Sequence, residues 1–295
     1  DEFSITQKYS LCMKTATLIY VILFFCAFTV SDGNAQGMCG TVIDTAKMQA
    51  EAAANLSSSQ NQRGLFFPIN CLNKTLSITA YIFRDSTGAD GITQASILSA
   101  LQILNNDFAP MCLSFSICEF VYVNNYNYND FYALKHENEV YNLYYTPNTI
   151  NVYFSNTLFD NTNSSVCGYA HFPGGRDMIF LNKSCVGDGK TFSHEMGHFF
   201  GLYHTFETAN GVELINGTNC LVAGDLICDT PADPNGLNGA DCQMLPYLPD
   251  PSGNWYVPHI GNIMSYYSAG CKCGFTSQQF NWMIQQFLTN RNYLW

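Results

Sequence analysis

The string HEMGHFFGLYH, which begins at His194, constrains this chain more than any other feature of its sequence. His194 and His198 are four residues apart, so on a helix they project from one face, one turn above the other. His204 is too far along the chain to reach the same point from a straight helix, but Gly201 can adopt positive φ and turn the chain back. The three imidazoles are therefore predicted to bind one zinc ion and to leave a fourth position open, as in catalytic zinc sites.

Two further side chains are predicted to carry chemistry beside this metal. Glu195 is not needed as a ligand, so it is predicted to take a proton from the metal-activated water and to pass it to a leaving amine. Downstream, the segment NIMSYY contains Met264, which would form an apolar turn beneath the metal, and Tyr266, whose hydroxyl could stabilise an oxyanion or cap the metal. The alternatives are that Met264 fills the core and that Tyr266 is only packed.

Six segments resemble the pappalysin family of metzincin zinc metallopeptidases, which includes ulilysin-like secreted proteases. They are HEMGHFFGLYHTF, GDLICDTPADP, NIMSYY, FTSQQFNWM, ITQASILSALQILNNDFAP and GYAHFPGGRDMIFLN, and they cover most of residues 76–290. The resemblance implies an α+β, metzincin-type catalytic domain: a mixed twisted sheet with a backing helix and an active-site helix, followed by a loop-rich, disulfide-bonded C-terminal half. It also implies a zinc-dependent metalloendopeptidase. One departure is Ser265, where many relatives carry an acidic residue.

The resemblance further implies a calcium site in the segment GDLICDTPADP. Asp225, Asp229 and Thr230 offer the oxygen donors that a hard cation such as Ca²⁺ requires, in a loop with little regular structure to hold it. The alternative is that these are solvated loop side chains.

The first residues of the chain are predicted to direct export. An apolar run from Ala16 to Val30 is shorter than the ~20 residues that cross a bilayer, and the small residue Ala35 follows it. Residues 13–36 are therefore predicted to be a signal peptide, with residues 1–12 as upstream sequence. The expected product is an extracellular protein with no stable membrane anchor.

The net charge of −11, with only 12 Lys and Arg residues, excludes a nucleic-acid-binding protein, because such binding requires a basic surface. The expected partners are protein or peptide substrates, which bind to a monomeric enzyme. The second interpretation is a secreted binding protein that keeps the fold but has lost activity. Intact Glu195 and the three histidines disfavour it.

Eleven of the 13 cysteines lie beyond the predicted signal peptide. Ten of them could form up to five disulfides in an exported protein, which leaves Cys39 as the odd thiol. Cys39 lies in residues 37–64, which are rich in Ala, Ser, Gln and Asn and are predicted to be a pro-segment without core packing. We expect Cys39 to occupy the open zinc position and keep the enzyme a latent zymogen until cleavage near Arg63-Gly64. The alternative is a free or intermolecularly paired cysteine.

Residues 65–295 are then the catalytic domain. Strands are predicted over residues 76–83, 113–123, 149–155, 166–172 and 177–182, and helices around residues 97–104, from Lys190, and from Thr276 to about Asn290. The Asn- and Tyr-rich stretch 124–148 is predicted to be a surface excursion. The strand that contains Gly168–Phe172 is predicted to form the upper rim of a cleft, where an exposed edge pairs with an extended peptide or is simply covered.

Overall fold

The computed structural model describes residues 37–58, 69–234, 242 and 249–295. The predicted upstream sequence and signal peptide, residues 1–36, and the predicted cleavage point at Arg63-Gly64 lie outside these residues. Among the residues that are described, no helix has the length and apolar character needed to span a bilayer.

The described residues form eight strands and five α-helices. The strands are β1 (Gly37–Cys39), β2 (Lys74–Phe83), β3 (Leu113–Val123), β4 (Asp130–Tyr132), β5 (Ile150–Ser155), β6 (Thr157–Phe159), β7 (Val166–Ala170) and β8 (Met178–Asn182). The helices are α1 (Thr45–Ser58), α2 (Gln94–Phe108), α3 (Ala133–Leu143), α4 (Thr191–Phe199) and α5 (Ser277–Gln286), which a π-helical turn, Phe287–Arg291, continues.

Six of the strands form one mixed sheet in the order β1-β7-β8-β5-β2-β3. Only the β7–β8 pair in this sheet is antiparallel. Strands β4 and β6 pair separately, in parallel. The β2-α2-β3 segment is a parallel crossover unit, as the order of strand and helix patterns in the sequence predicted. The α+β expectation, with a mixed sheet, a backing helix α2 and an active-site helix α4, is confirmed.

Both faces of the sheet are buried, and the alternation along β2 shows why. Ile78, Ala80 and Ile82 face the apolar core that α2 and α4 share, while Tyr81 and Phe83 face an aromatic cluster on the other side. Ile97, Leu101 and Leu104, which recur at helical spacing, carry the buried face of α2 into the same core. This packing fixes α4 against the sheet.

Two sequence-based expectations about structure were wrong. Residues 37–64 were expected to have no core packing, but α1 buries Met48 and Ala52 against Tyr203 and Leu226. The helix was missed because, among the side chains of residues 45–55 that the structure describes, only Met48 and Ala52 mark its buried face. Residues 124–148 were expected to be a surface excursion, yet α3 lies there with His136 and Val140 buried. Its polar residues outnumber its apolar residues, which hid the helical period.

Four disulfides crosslink the domain, rather than the five that ten cysteines could form. They are Cys71–Cys112, Cys167–Cys185, Cys220–Cys228 and Cys242–Cys271. The last two lie in the half beyond α4, where the described residues form one 3₁₀ turn, Ala269–Cys271, before α5 begins. There the bridges restrict loops that little core packing holds. Cys39 is a free thiol, as expected, and Cys118 is an exposed one.

The buried guanidinium of Arg291 joins the C-terminal turn to the rim of the cleft. It pairs with the carboxylate of Asp177 and donates to the carbonyl oxygens of His171 (2.8 Å) and Phe172 (3.0 Å). The same group lies over the ring of Phe199, 3.6 Å from its centroid. One side chain thus connects the C-terminal turn, the segment after β7 and helix α4.

Replacing Arg291 by methionine is expected to lower the free energy of unfolding by about 3 kcal/mol, because Asp177 would stay buried without its counter-ion. Urea unfolding of the variant measures this loss. The matched control is Arg84→Met, which breaks a pair with Asp90 whose side chains are 29% and 35% exposed; it should cost less than about 1 kcal/mol. Equal losses in the two variants would contradict a structural role for the buried pair.

Candidate active site

The three predicted histidine ligands converge on one point. The Nε2 atom of His194 lies 3.2 Å from that of His198 and 3.3 Å from that of His204, and the last two are 3.1 Å apart. His194 and His198 lie on one face of α4. Gly201, with φ of +88°, ends the helix and returns the chain so that His204 reaches the same point, as its position in the motif predicted.

The protonation of these imidazoles follows from their other nitrogens. The Nδ1 of His194 lies 2.8 Å from the carbonyl oxygen of Ile263, and the Nδ1 of His198 lies 2.7 Å from that of Leu202. A carbonyl only accepts, so each Nδ1 carries the proton and each Nε2 presents a bare lone pair. Burial lowers the pKa of His198 to about 4 and that of His194 well below its usual value, which favours the neutral form.

These residues fit a zinc ion. Neutral imidazole nitrogens that face one another repel unless a cation lies between them, and ligands at tetrahedral zinc are about 3.4 Å apart, close to the observed separations. The carbonyl oxygens that fix the rings are the partners that metal-bound histidines usually have. One donor atom each from Cys39, His194, His198 and His204 lies within 4.8 Å of the others.

The segment around Met264 lies directly beneath α4. Met264 is fully buried, and a Cβ atom placed on Gly197 would lie 2.5 Å from its sulfur, so the side chain lies against the helix between the two histidines. The carbonyl oxygen of Ile263 orients His194. The backbone N–H of Thr205 donates to the carbonyl oxygen of Met264 at 3.4 Å. This turn therefore positions both the first and the third histidine.

Glu195 is fully buried beside the three histidines. Its Oε1 atom has no hydrogen-bond partner, and its Oε2 atom contacts Cys39 and Thr41. Burial raises the pKa of Glu195 to about 8, against the lowering by hydrogen bonds from Cys39 and Thr41. A buried carboxylate with one free oxygen next to the metal ligands has the position that a proton carrier requires.

The described start of the chain fills the cleft. Strand β1 pairs in parallel with β7, with Cys39 opposite Gly168, so the rim strand's edge is covered by the predicted pro-segment. The Sγ atom of Cys39 lies 3.5 Å from Glu195 Oε2. Thr41 forms hydrogen bonds to both α4 and β7. Its hydroxyl lies 3.2 Å from Glu195 Oε2 and accepts from the backbone N–H of Ala170 at 2.9 Å.

Tyr266 lies at the edge of the same group. Its ring centroid is 4.8 Å from that of His204 and 6.0 Å from that of His194, and its hydroxyl donates to the carbonyl oxygen of Cys39 at 3.3 Å. Burial raises its pKa, so the hydroxyl remains protonated and can donate. The structure therefore brings Tyr266 to the histidines and Cys39.

The predicted calcium residues divide into two groups. Asp225 and Thr230 lie together, with Thr230 Oγ1 2.9 Å from Asp225 Oδ1. Asp229 lies apart from them: it accepts from Thr276 Oγ1 (2.5 Å) and from the backbone N–H of Gln278 (2.9 Å) at the start of α5.

A second carboxylate, that of Glu213, acts electrostatically on Asp225. Burial raises the pKa of Glu213 to about 8 and that of Asp225 well above its usual value, and Asp225 Oδ2 and Glu213 Oε2 are buried without partners.

Ser265, which stands where many relatives are expected to carry an acidic residue, forms a hydrogen bond to an acidic side chain elsewhere in the chain. Its hydroxyl donates to Asp233 Oδ2 at 3.0 Å, and Thr205 Oγ1 donates to the same oxygen at 2.7 Å. Sequence reasoning missed Thr41, Glu213 and Asp233. None of the three belongs to a spaced motif. Only Asp233 lies within one of the segments that resemble the family, GDLICDTPADP.

Comparisons with known proteins find a family model and relatives that match this chain. The family model described as pregnancy-associated plasma protein-A, peptidase M43, matches residues 133–288. An extracellular metalloprotease of Arthroderma benhamiae is 26% identical over 273 residues, which cover 85% of this chain and 83% of that protein. One of Pyricularia oryzae is 27% identical over 262 residues, which cover 81% of each protein.

Among solved structures, mature mirolysin of Tannerella forsythia in complex with a cleaved peptide superposes with a TM-score of 0.57 at 20% identity. The match covers 75% of this chain and 94% of that chain. At this identity the likeness shows the fold, which is the one that the sequence predicted.

The family model spans more than half of the chain, and the relatives bear the name of extracellular enzymes. The expected extracellular location is thereby confirmed, and the four disulfides agree with it. The chain belongs to the pregnancy-associated plasma protein-A family of M43 peptidases, the pappalysins, and is a metalloendopeptidase.

Proposed function

We propose that this protein is a secreted zinc endopeptidase that is made as a latent zymogen and hydrolyses peptide bonds of proteins. His194, His198 and His204 hold the zinc. The observation that carries the proposal is the convergence of three histidine Nε2 atoms beside the free carboxylate oxygen of Glu195. A binding protein without activity, the alternative, would have no reason to keep that buried carboxylate next to the ligands.

The residues around the metal divide the reaction between them. Zinc bound at the three histidines would polarise the scissile carbonyl and lower the pKa of a water molecule. Glu195 takes the proton from that water and delivers it to the leaving amine, and Tyr266 donates its hydroxyl to the developing oxyanion. The edge of β7, once β1 has left, pairs with the main chain of an extended substrate independently of its sequence.

Latency follows from two contacts of the pro-segment. The thiol of Cys39 completes the donor set at the position that a water molecule needs. Thr41 acts on Glu195: its hydroxyl oxygen accepts from Ala170, so its single proton points to the carboxylate. Thr41 thereby takes the rim N–H that would bind a substrate carbonyl and one of the two carboxylate oxygens of Glu195.

Glu195→Ala is expected to lower the hydrolysis of casein by the processed enzyme by about 10²–10⁴-fold, because the proton carrier is lost while all three ligands remain. Its zinc content should equal that of the wild type, whereas His204→Ala should lose zinc. Metal analysis and digestion rates, after cleavage with an added protease, measure both. Glu119→Ala, an exposed glutamate on β3, is the control. Casein digestion by the Glu195 variant at a near wild-type rate would disprove the mechanism.

Cys39→Ala in the full chain is expected to give hydrolysis of a short fluorogenic peptide before any cleavage of the pro-segment, because the donor that blocks the metal is gone. Cys39→Ala with Thr41→Val should be more active still, since valine keeps the shape of threonine and loses the hydroxyl. Cys118→Ala, which removes an exposed thiol, should stay latent. If Cys39→Ala is as latent as the wild type, Cys39 is not the switch; if Thr41→Val adds nothing, Thr41 has no part in latency.

A calcium ion is proposed for the loop beyond α4, where Thr230 hydrogen-bonds to Asp225, the charge of Glu213 acts on Asp225, and a buried oxygen of each carboxylate has no partner. The charge of Glu213 raises the pKa of Asp225, and a cation would relieve the repulsion between two ionised carboxylates. Asp229, which the resemblance also implied as a ligand, anchors α5 through both of its oxygens.

Calcium at about 100 times its Kd is expected to raise the unfolding midpoint by about 5–10 °C, because the ion binds only the folded loop. Scanning calorimetry with calcium and with a chelator measures the shift, which Glu213→Gln with Asp225→Asn should abolish. Asp229→Asn, the matched control, should lower the midpoint equally with and without calcium. A wild-type midpoint that calcium does not change would remove the ion from this loop.

A further inference from the structure

Helix α1 covers a face of the catalytic domain that adjoins the cleft. This face, called the α1 face below, consists of Phe172, Tyr203, Val222 and Leu226. Tyr203 and Leu226 are each only 3% exposed while α1 is in place. Departure of the pro-segment would therefore open a contiguous apolar surface, and such surfaces usually mark an interaction site.

The α1 face is continuous with the metal site. The ring of Phe172 lies 5.5 Å from that of His198 and 5.1 Å from that of Tyr203, measured between centroids. Phe172 follows the rim strand β7, and Tyr203 immediately precedes His204. A polypeptide that leaves the cleft beyond the Ala170 end of β7 would thus meet this face next, as the pro-segment does.

The way in which α1 binds defines the chemistry that the face recognises. Met48 and Ala52, one turn apart, bury their side chains in its apolar centre. One position before Met48, Lys47 donates its ammonium to the carbonyl oxygen of Pro173 at 2.6 Å. Three positions after Met48, Glu51 accepts from the hydroxyl of Tyr203 at 2.7 Å.

Two more hydrogen bonds join α1 to residues beside the α1 face. Asn55 Nδ2 donates to the carbonyl oxygen of Leu221 at 3.2 Å, and Asn210 Nδ2 donates to that of Met48 at 3.1 Å. The α1 residues that bind therefore follow the spacing i−1, i, i+3, i+4 and i+7, with Met48 as i. That is the pattern by which an amphipathic helix is recognised in a groove.

We propose that in the processed enzyme the α1 face is a substrate-binding site outside the cleft, which takes an amphipathic helical segment of a protein substrate. The preferred segment has apolar residues one turn apart, a basic residue before the first and an acidic residue between them. The inference rests on the proposed function, because it needs a pro-segment that departs. The face, together with the cleft, would select proteins in which such a helix adjoins an extended stretch.

A peptide of residues 44–58 of this chain, labelled with fluorescein, is the probe. After cleavage of the full chain and removal of the pro-segment by gel filtration, the peptide is expected to bind saturably in fluorescence anisotropy. Tyr203→Phe in the enzyme should weaken binding about tenfold, through loss of a hydrogen bond to a charged group. Met48→Asp in the peptide should remove measurable binding. Tyr126→Phe, an exposed tyrosine elsewhere, is the matched control and should bind as the wild type.

The kinetic arm separates the α1 face from the cleft. A short fluorogenic peptide joined to the residue 44–58 sequence, at either end, should have a lower KM than the same peptide joined to the Met48→Asp sequence, with kcat unchanged. The free α1 peptide should not inhibit hydrolysis of the short peptide alone. Absence of saturable binding, equal binding to wild type and Tyr203→Phe, or inhibition of the short peptide would overturn the proposal. Failure of the proposed function looks different: the short peptide would not be hydrolysed at all, while anisotropy still reports on the face.

Discussion

Three imidazole Nε2 atoms converge on one buried position, and backbone carbonyls hold two of the rings there. The carbonyl oxygen of Ile263 fixes His194, and that of Leu202 fixes His198, each through a proton on Nδ1. Such an arrangement is unfavourable without a cation, so the surrounding structure must impose it. The buried packing of α4, the turn at Gly201 and the segment around Met264 together supply that constraint.

In the proposed zymogen, the predicted pro-segment contacts the same groups that the proposed catalysis needs. Cys39 reaches the histidines, Thr41 takes Glu195 and the rim N–H of Ala170, and Tyr266 donates to the Cys39 carbonyl. Helix α1 adds apolar burial and four polar contacts beside the cleft. Because these contacts lie on one continuous peptide, the proposed cleavage would weaken all of them together, since the local concentration of the segment falls once it is no longer tethered.

The sequence predicted the elements that carry a period or a spaced motif. The strand Leu113–Val123 was placed to the residue, and the last helix was expected from Thr276, whose hydroxyl caps α5. What the sequence could not supply depends on pairing across the fold. Thr41 contacts Glu195 from 154 residues away, and Glu213 meets Asp225 through a loop without regular structure. Helix α3 was missed because its buried side includes His136, which a periodicity of apolar residues does not register.

X-ray absorption at the zinc edge tests the central claim most directly, because it reports the atoms bound to the metal. In the full chain the account predicts three nitrogens at about 2.0–2.1 Å and one sulfur at about 2.3 Å. After cleavage of the pro-segment the sulfur should be replaced by an oxygen, with the three nitrogens unchanged. A full chain that binds no zinc, or whose zinc has no sulfur neighbour while the enzyme is latent, would contradict the account.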